Sequence, residues 1–214
     1  MAITNLYKGQ MTREEAEERL AGLAGRMGIK ATAIKVRRAK GQGMRLGFVV
    51  QGVVVERACI SQPTIDGNLA CLVLWLNDLV INVERGIETF SEAFYNEGAR
   101  LITATDVKIK IKPYSGTKTV QESLATIQKS LVRLGLSREH VKVKWADAGR
   151  EAQIRIKLPS GRVVQKVSVQ QADARRNVAA LALWLQVRAK NYERGIEIEM
   201  DRLFAANLLP ASKA

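Results

Sequence analysis

The sequence predicts an α+β protein built as a tandem duplication of an α-β-β-β-α unit: a three-stranded antiparallel sheet packed on helices, with a long C-terminal helix in each copy. Three observations carry this. One block recurs at a fixed offset, apolar residues at helical spacing open and close each copy, and three period-2 segments lie between them.

The block is explicit. Asn68-Leu-Ala-Cys-Leu-Val-Leu-Trp75-Leu76 returns 109 positions later as Asn177-Val-Ala-Ala-Leu-Ala-Leu-Trp184-Leu185. At the same offset the Glu-Arg-Gly-Ile-Glu run beginning at Glu84 falls on the one beginning at Glu193, and Gln62 falls on Gln171. Further upstream the offset drops to 107, where Arg26-Met-Gly28 falls on Arg133-Leu-Gly135. The copies are assigned to residues 1–105 and 119–214, with a basic linker over 106–118.

Each copy opens on a helix. Thr12 before Arg-Glu-Glu is an N-cap with carboxylates in the first turn, and Gly28 stands where a C′ glycine belongs. Residues 120–134 followed by Gly135 repeat this. The strands are expected at 34–38, 46–50 and 53–60, and at 141–145, 154–158 and 163–169. Gln51-Gly52 and Pro159-Ser-Gly161 supply tight turns, and Gly41-Gln-Gly43 joins the first two strands. The last element reads as helical over 66–96 and 173–207, either continuous or kinked at Gly86 and Gly195. A helix that long overhangs three strands, so its far end is expected to bury against the other copy or a second subunit.

On a wheel of about 100° per residue, Leu76, Val83 and Ile87 fall within about 60° of Leu72 and form the core stripe. Trp75, Asn82 and Gly86 share an adjacent face. A mid-helix glycine costs about 1 kcal/mol relative to alanine, so its presence in both copies points to a kink or a close backbone approach. Trp75 and Trp184, with Gly86 and Gly195, are therefore expected at a pseudo-twofold contact between the copies. Arg85, Glu88, Arg194 and Glu197 face away from the stripe. An Arg85–Glu88 surface pair would be worth only tenths of a kcal/mol, so a contact with the other copy or a partner chain is the more economical reading.

The chain carries a formal net charge of +13, and that charge is segregated. Residues 1–107 hold 13 Lys and Arg against 12 Asp and Glu; the remainder holds 21 against 9. Excess positive charge on this scale favours polyanionic partners. In the second copy, strand alternation puts Lys142, Lys144, Arg155 and Lys157 on one face, opposite Val141, Val143, Trp145, Ile154, Ile156 and Leu158. Arg162 and Lys166 are expected to extend that face from the third strand. Lys108, Lys110 and Lys112 alternate in the linker, and Arg175 and Arg176 open the last helix, where a helix N-terminus favours phosphate. In the first copy Lys35 and Arg37 lead a smaller basic hairpin edge, and Val53-Val54-Val55 leaves apolar side chains on both faces.

The α-β-β-β-α order resembles that of double-stranded-RNA-binding domains, and Arg175-Arg176-Asn-Val-Ala179-Ala180 is similar to the basic helix start with which those domains meet phosphates. The first copy has Ile65-Asp66-Gly67-Asn68 there and departs from the pattern; no membership is assigned. The resemblance implies contact with a nucleic-acid backbone.

Enzymatic chemistry finds little support. His140 is the sole histidine, Cys59 and Cys71 are replaced in the second copy by Ser168 and Ala180, and no Gly-rich phosphate loop or metal-ligand cluster stands out. No cofactor is expected. Residues 1–22 lack an apolar signal core and the longest apolar run, 69–76, is too short for a bilayer, which predicts a soluble cytoplasmic chain. The expected function is non-enzymatic binding of DNA or RNA through phosphates, with little sequence specificity. The alternative is an adaptor or structural subunit of a nucleoprotein complex, docking or self-associating through the long helices.

Overall fold

A computed structural model describes residues 11–50, 53–89, 93, 114–145, 150–197 and 199–209. The first unit runs α1 (Arg13–Arg26), β1 (Lys35–Arg38), β2 (Met44–Val50), β3 (Val53–Cys59) and α2 (Ile65–Glu84). The second runs α3 (Val120–Arg133), β4 (Val141–Trp145), β5 (Ala152–Lys157), β6 (Val163–Ser168), α4 (Ala174–Glu193) and the short α5 (Met200–Leu203). Both sheets are antiparallel meanders, ordered β1-β2-β3 and β4-β5-β6. The duplicated α+β architecture is thus present in both halves.

Local chemistry starts and stops the helices. Thr12 Oγ1 accepts from the Glu15 N–H at 3.2 Å while the Thr12 N–H donates to the Glu15 carboxylate at 3.0 Å, a capping box that Thr119 and Glu122 repeat. Thr119→Ala is expected to lower stability by about 1 kcal/mol, read as a shift of the thermal melting curve. At the other end, Gly28, Gly86, Gly135 and Gly195 all have φ between 64° and 71°. In α2 the Gly86 N–H reaches the Val83 carbonyl and the Ile87 N–H the Asn82 carbonyl, both at 2.9 Å; Gly195 and Ile196 do the same in α4. These are Schellman stops. The long helix of each copy therefore ends at Glu84 and Glu193, and the expectation of that helix continuing through Ile87 and Glu88 is corrected: the glycine terminates it. The 90–92 and 94–96 part of that expectation lies outside the described residues, as do the Gln51-Gly52 turn and linker residues 106–113.

The repeated Asn68 and Asn177 pin each sheet to its helix. The buried Asn68 amide donates to the carbonyls of Gln42, Gln62 and Thr64 and accepts from the Gln62 N–H. Asn177 donates to the carbonyls of Arg150, Gln171 and Asp173 and accepts from the Gln171 N–H. One side chain satisfies both the loop before the helix and the hairpin beyond it, which explains its place in the repeated block. Cys59 and Cys71 are free and buried. Helix α2 is long and apolar enough to span a membrane, but 67% of its most apolar window is buried inside the fold.

The two copies interlock through the repeated Glu-Arg-Gly-Ile-Glu run. Glu84 pairs twice with Arg26 of its own copy, at 2.8 and 2.7 Å, and Glu193 lies 3.4 Å from Arg133, tying the ends of the first and last helices together. After the glycine each chain crosses over. Ile87 is buried in the second copy's core, and Ile196 in the first copy's core. Glu88, 3% exposed, pairs with Arg188 of α4 and accepts from Asn82 at 2.8 Å; Glu197 reaches Arg57 of β3 at 3.7 Å. Burial lowers the affinity of the Arg57 guanidinium for its proton, and Glu197 opposes that shift.

The helix ends cap each other across the same boundary. A helix leaves its last carbonyls without intrahelical partners. The Arg85 carbonyl accepts from the Gln171 amide at 3.0 Å, and the Arg194 carbonyl accepts from Ser61 at 2.5 Å and the Gln62 amide at 3.5 Å. The Arg194 side chain adds an ion pair to Asp78 at 2.8 Å. An Arg85–Glu88 surface pair is not what the run builds, because the turn at Gly86 carries Glu88 inward.

Candidate nucleic-acid interface

The helices cover one face of each sheet and leave the other outward. In the second sheet the register sets Lys142 opposite Arg155 and Lys144 opposite Gln153, with Lys157 beside Val163. Lys142, Lys144, Arg155 and Lys157 are all exposed, and none of the outward positions on the three strands is acidic. Arg155 is steadied by a 2.7 Å hydrogen bond to Gln165 on the neighbouring strand. Like charges directly opposite one another disfavour the sheet, so an anion lying across this face would relieve a standing repulsion.

The other expected cations are placed differently. Lys166 is 5% exposed: β6 turns Val164, Lys166 and Ser168 toward the helices and Val163, Gln165 and Val167 outward. Its expected place on the basic face is therefore corrected. Lys166 occupies the position of Arg57 in the first copy, the residue that pairs with Glu197. Arg162 is exposed but shares its carboxylate neighbour Asp201, at 3.5 Å, with Ser160. Arg175 donates to the Thr117 carbonyl at 3.1 Å, and Arg176 lies 3.7 Å from Asp173, whose carboxylate also caps the helix. Both are half-buried on the helix layer, away from the outward sheet face, and the Arg176 Nε is buried without a hydrogen-bond partner.

In the first sheet Lys35 and Arg37 are exposed and outward, with Arg37 opposite Arg45. There Glu56 lies 3.4 Å from Arg45, and Val49 and Val54 face each other at 55% and 60% exposure, so this face is mixed rather than cationic. The sheet register equates Lys35 with Lys142 and Arg37 with Lys144, so the first-strand cations are what the two faces share. That equivalence was available in the 107-residue offset between Arg26 and Arg133.

The two repeated tryptophans have different surroundings. Trp184 is fully buried against Phe204, with ring centroids 5.6 Å apart, and Trp75 is 4% exposed beside a cavity of about 30 Å³ bordered by Arg188, Ile196 and Glu197 of the other copy. Trp145 is 38% exposed at the end of edge strand β4, on the strand face opposite Lys142 and Lys144. Among the described residues no group of three His, Cys, Asp or Glu side chains converges as a metal site.

These features define a duplicated α+β protein of two interlocked halves, with one mixed and one cationic outward sheet. Comparison with family models, curated proteins and solved structures finds no match to this chain.

Proposed function

We propose that this chain is a non-enzymatic, intracellular nucleic-acid-binding protein that holds phosphates on the outward face of its second sheet, with little sequence specificity. The observation that carries the reading is the set of four exposed cations, Lys142, Lys144, Arg155 and Lys157, on a face with no outward acid. The segregated positive charge supports it: a purely solubilising charge gives no reason to concentrate in one copy.

The test is fluorescence anisotropy with labelled single- and double-stranded DNA and RNA over a salt series. Binding that weakens steeply with salt is expected, because neutralising phosphates releases counterions. Replacing the four cations by alanine is expected to flatten the slope of log affinity against log salt by about 3. Absence of binding to all four probes at low salt would overturn the proposal. An adaptor role would use a different surface from the long helices: the repeated helix-end residues are engaged within the chain, while Val49 and Val54 form an exposed apolar pair on the first sheet.

A further inference from the structure

Resting on that phosphate-binding reading, we infer that the second copy takes single strands, seating an unpaired base in the cleft between α3 and β4 against Trp145. Lys142 and Lys144 hold the adjoining phosphates. The cleft has a volume of about 450 Å³, within the range of small-molecule pockets. Val141, Val143 and Trp145 of β4 line it from one side, Leu124 and Gln128 of α3 from the other, and Arg138 from the turn before the strand. The walls are apolar and aromatic, and the Gln128 amide and Arg138 guanidinium offer hydrogen bonds to a base edge.

The same strand carries both halves of the site. β4 is the edge of its sheet, so it leaves one side open to a ligand. Alternation sends Val141, Val143 and Trp145 to the cleft and Lys142 and Lys144 to the outward face. The two lysines are two residues apart, about 6.6 Å along a strand, a step comparable to that between successive phosphates of an extended chain. A strand following this edge can set phosphates on the lysines while a base turns around the edge into the cleft.

Trp145 is not needed to build the fold. Register places it where the first copy has Arg38: Trp145 pairs with Ala152 as Arg38 pairs with Met44, and the same strand forms in both sheets. The other two tryptophans are 4% and 0% exposed, whereas Trp145 keeps 38% of its surface open. An aromatic face beside a cationic strand is the arrangement that binds unpaired bases by stacking. A duplex keeps its bases stacked inside, and extruding one costs several kcal/mol, so a single strand is the chemistry this cleft fits.

The experiment compares four labelled probes of equal length: oligo(dT), oligo(U), an abasic deoxyribose-phosphate strand and a blunt duplex. Oligo(dT) or oligo(U) is expected to bind about tenfold more tightly than the abasic strand and the duplex. Trp145→Ala is expected to lose about tenfold on the base-bearing strand and nothing on the abasic one, while Trp145→Phe retains most of the affinity. Tryptophan quenching by the strand should disappear in both variants. Equal affinity for abasic and base-bearing strands, tighter binding of the duplex, or an unchanged Trp145→Ala would overturn base insertion. Salt-steep binding lost on removal of the four cations would then leave the phosphate reading standing. Failure of every probe to bind would remove both.

Discussion

Replacing Glu88 by alanine is expected to cost about 3–5 kcal/mol of folding stability, because it strands a buried guanidinium. Arg188 is 7% exposed and pairs with Glu88 across the boundary between the copies; its Nε already lacks a hydrogen-bond partner. Removing the carboxylate leaves the charge desolvated and unpaired, and also deprives the buried Asn82 amide of its 2.8 Å acceptor. Urea unfolding should show the midpoint fall with little change in slope. The pair itself contributes less than its rupture costs, so Glu88→Leu combined with Arg188→Leu is expected to recover much of the loss. A Glu88→Ala variant within about 1 kcal/mol of the parent, a change typical of an exposed pair, would show that the clamp between the halves lies elsewhere.

Gly195→Ala is the second large effect, at about 3 kcal/mol from left-handed backbone strain and overpacking together. Gly195 sits at φ +66°, and a Cβ there would lie 2.5 Å from Ser61 Cβ and 2.7 Å from Ser61 Oγ of the other copy. Ser61 is held against the Arg194 carbonyl, so it has little freedom to withdraw. Gly135 isolates the backbone share: it closes α3 at φ +71°, and a Cβ there would point into open space. Gly135→Ala is therefore expected to cost about 1–2 kcal/mol, and the excess for Gly195→Ala measures the contact. Adding Ser61→Gly should return part of that excess. Equal costs at the two glycines, compared by chemical denaturation, would show that the copies do not approach closely at this turn.

Much of the architecture is legible in the residues because it depends on neighbours in the chain. A capping threonine finds its carboxylate three residues on, a period-2 strand reveals its faces, and a C′ glycine ends a helix by its own dihedral angle. The Glu-Arg-Gly-Ile-Glu run is harder to read. On a helical wheel Gly86 is a mid-helix cost and Glu88 an outward charge. Once Gly86 is a stop, the wheel no longer applies past it, and Glu88 points into the other copy. Lys166 is ambiguous for a related reason: Val163, Val164 and Val167 place apolar side chains on both faces of β6, so alternation alone does not say which parity is inward.

By itself the sequence determined the duplication, the order of elements, the helix caps, the stops at Gly28 and Gly135, and the four cations that share one sheet face, because each is a matter of recurrence, spacing or alternation along the chain. The tertiary structure alone decided that Ile87 and Ile196 exchange cores, that Glu88 and Arg188 meet from 100 positions apart, and that Trp145 opens onto a cleft while its two counterparts are buried. The physical reason is that burial and ion pairing are set by which surfaces meet after the chain turns. A pattern of residues constrains the turn, but the partner across it comes from the packing of the whole.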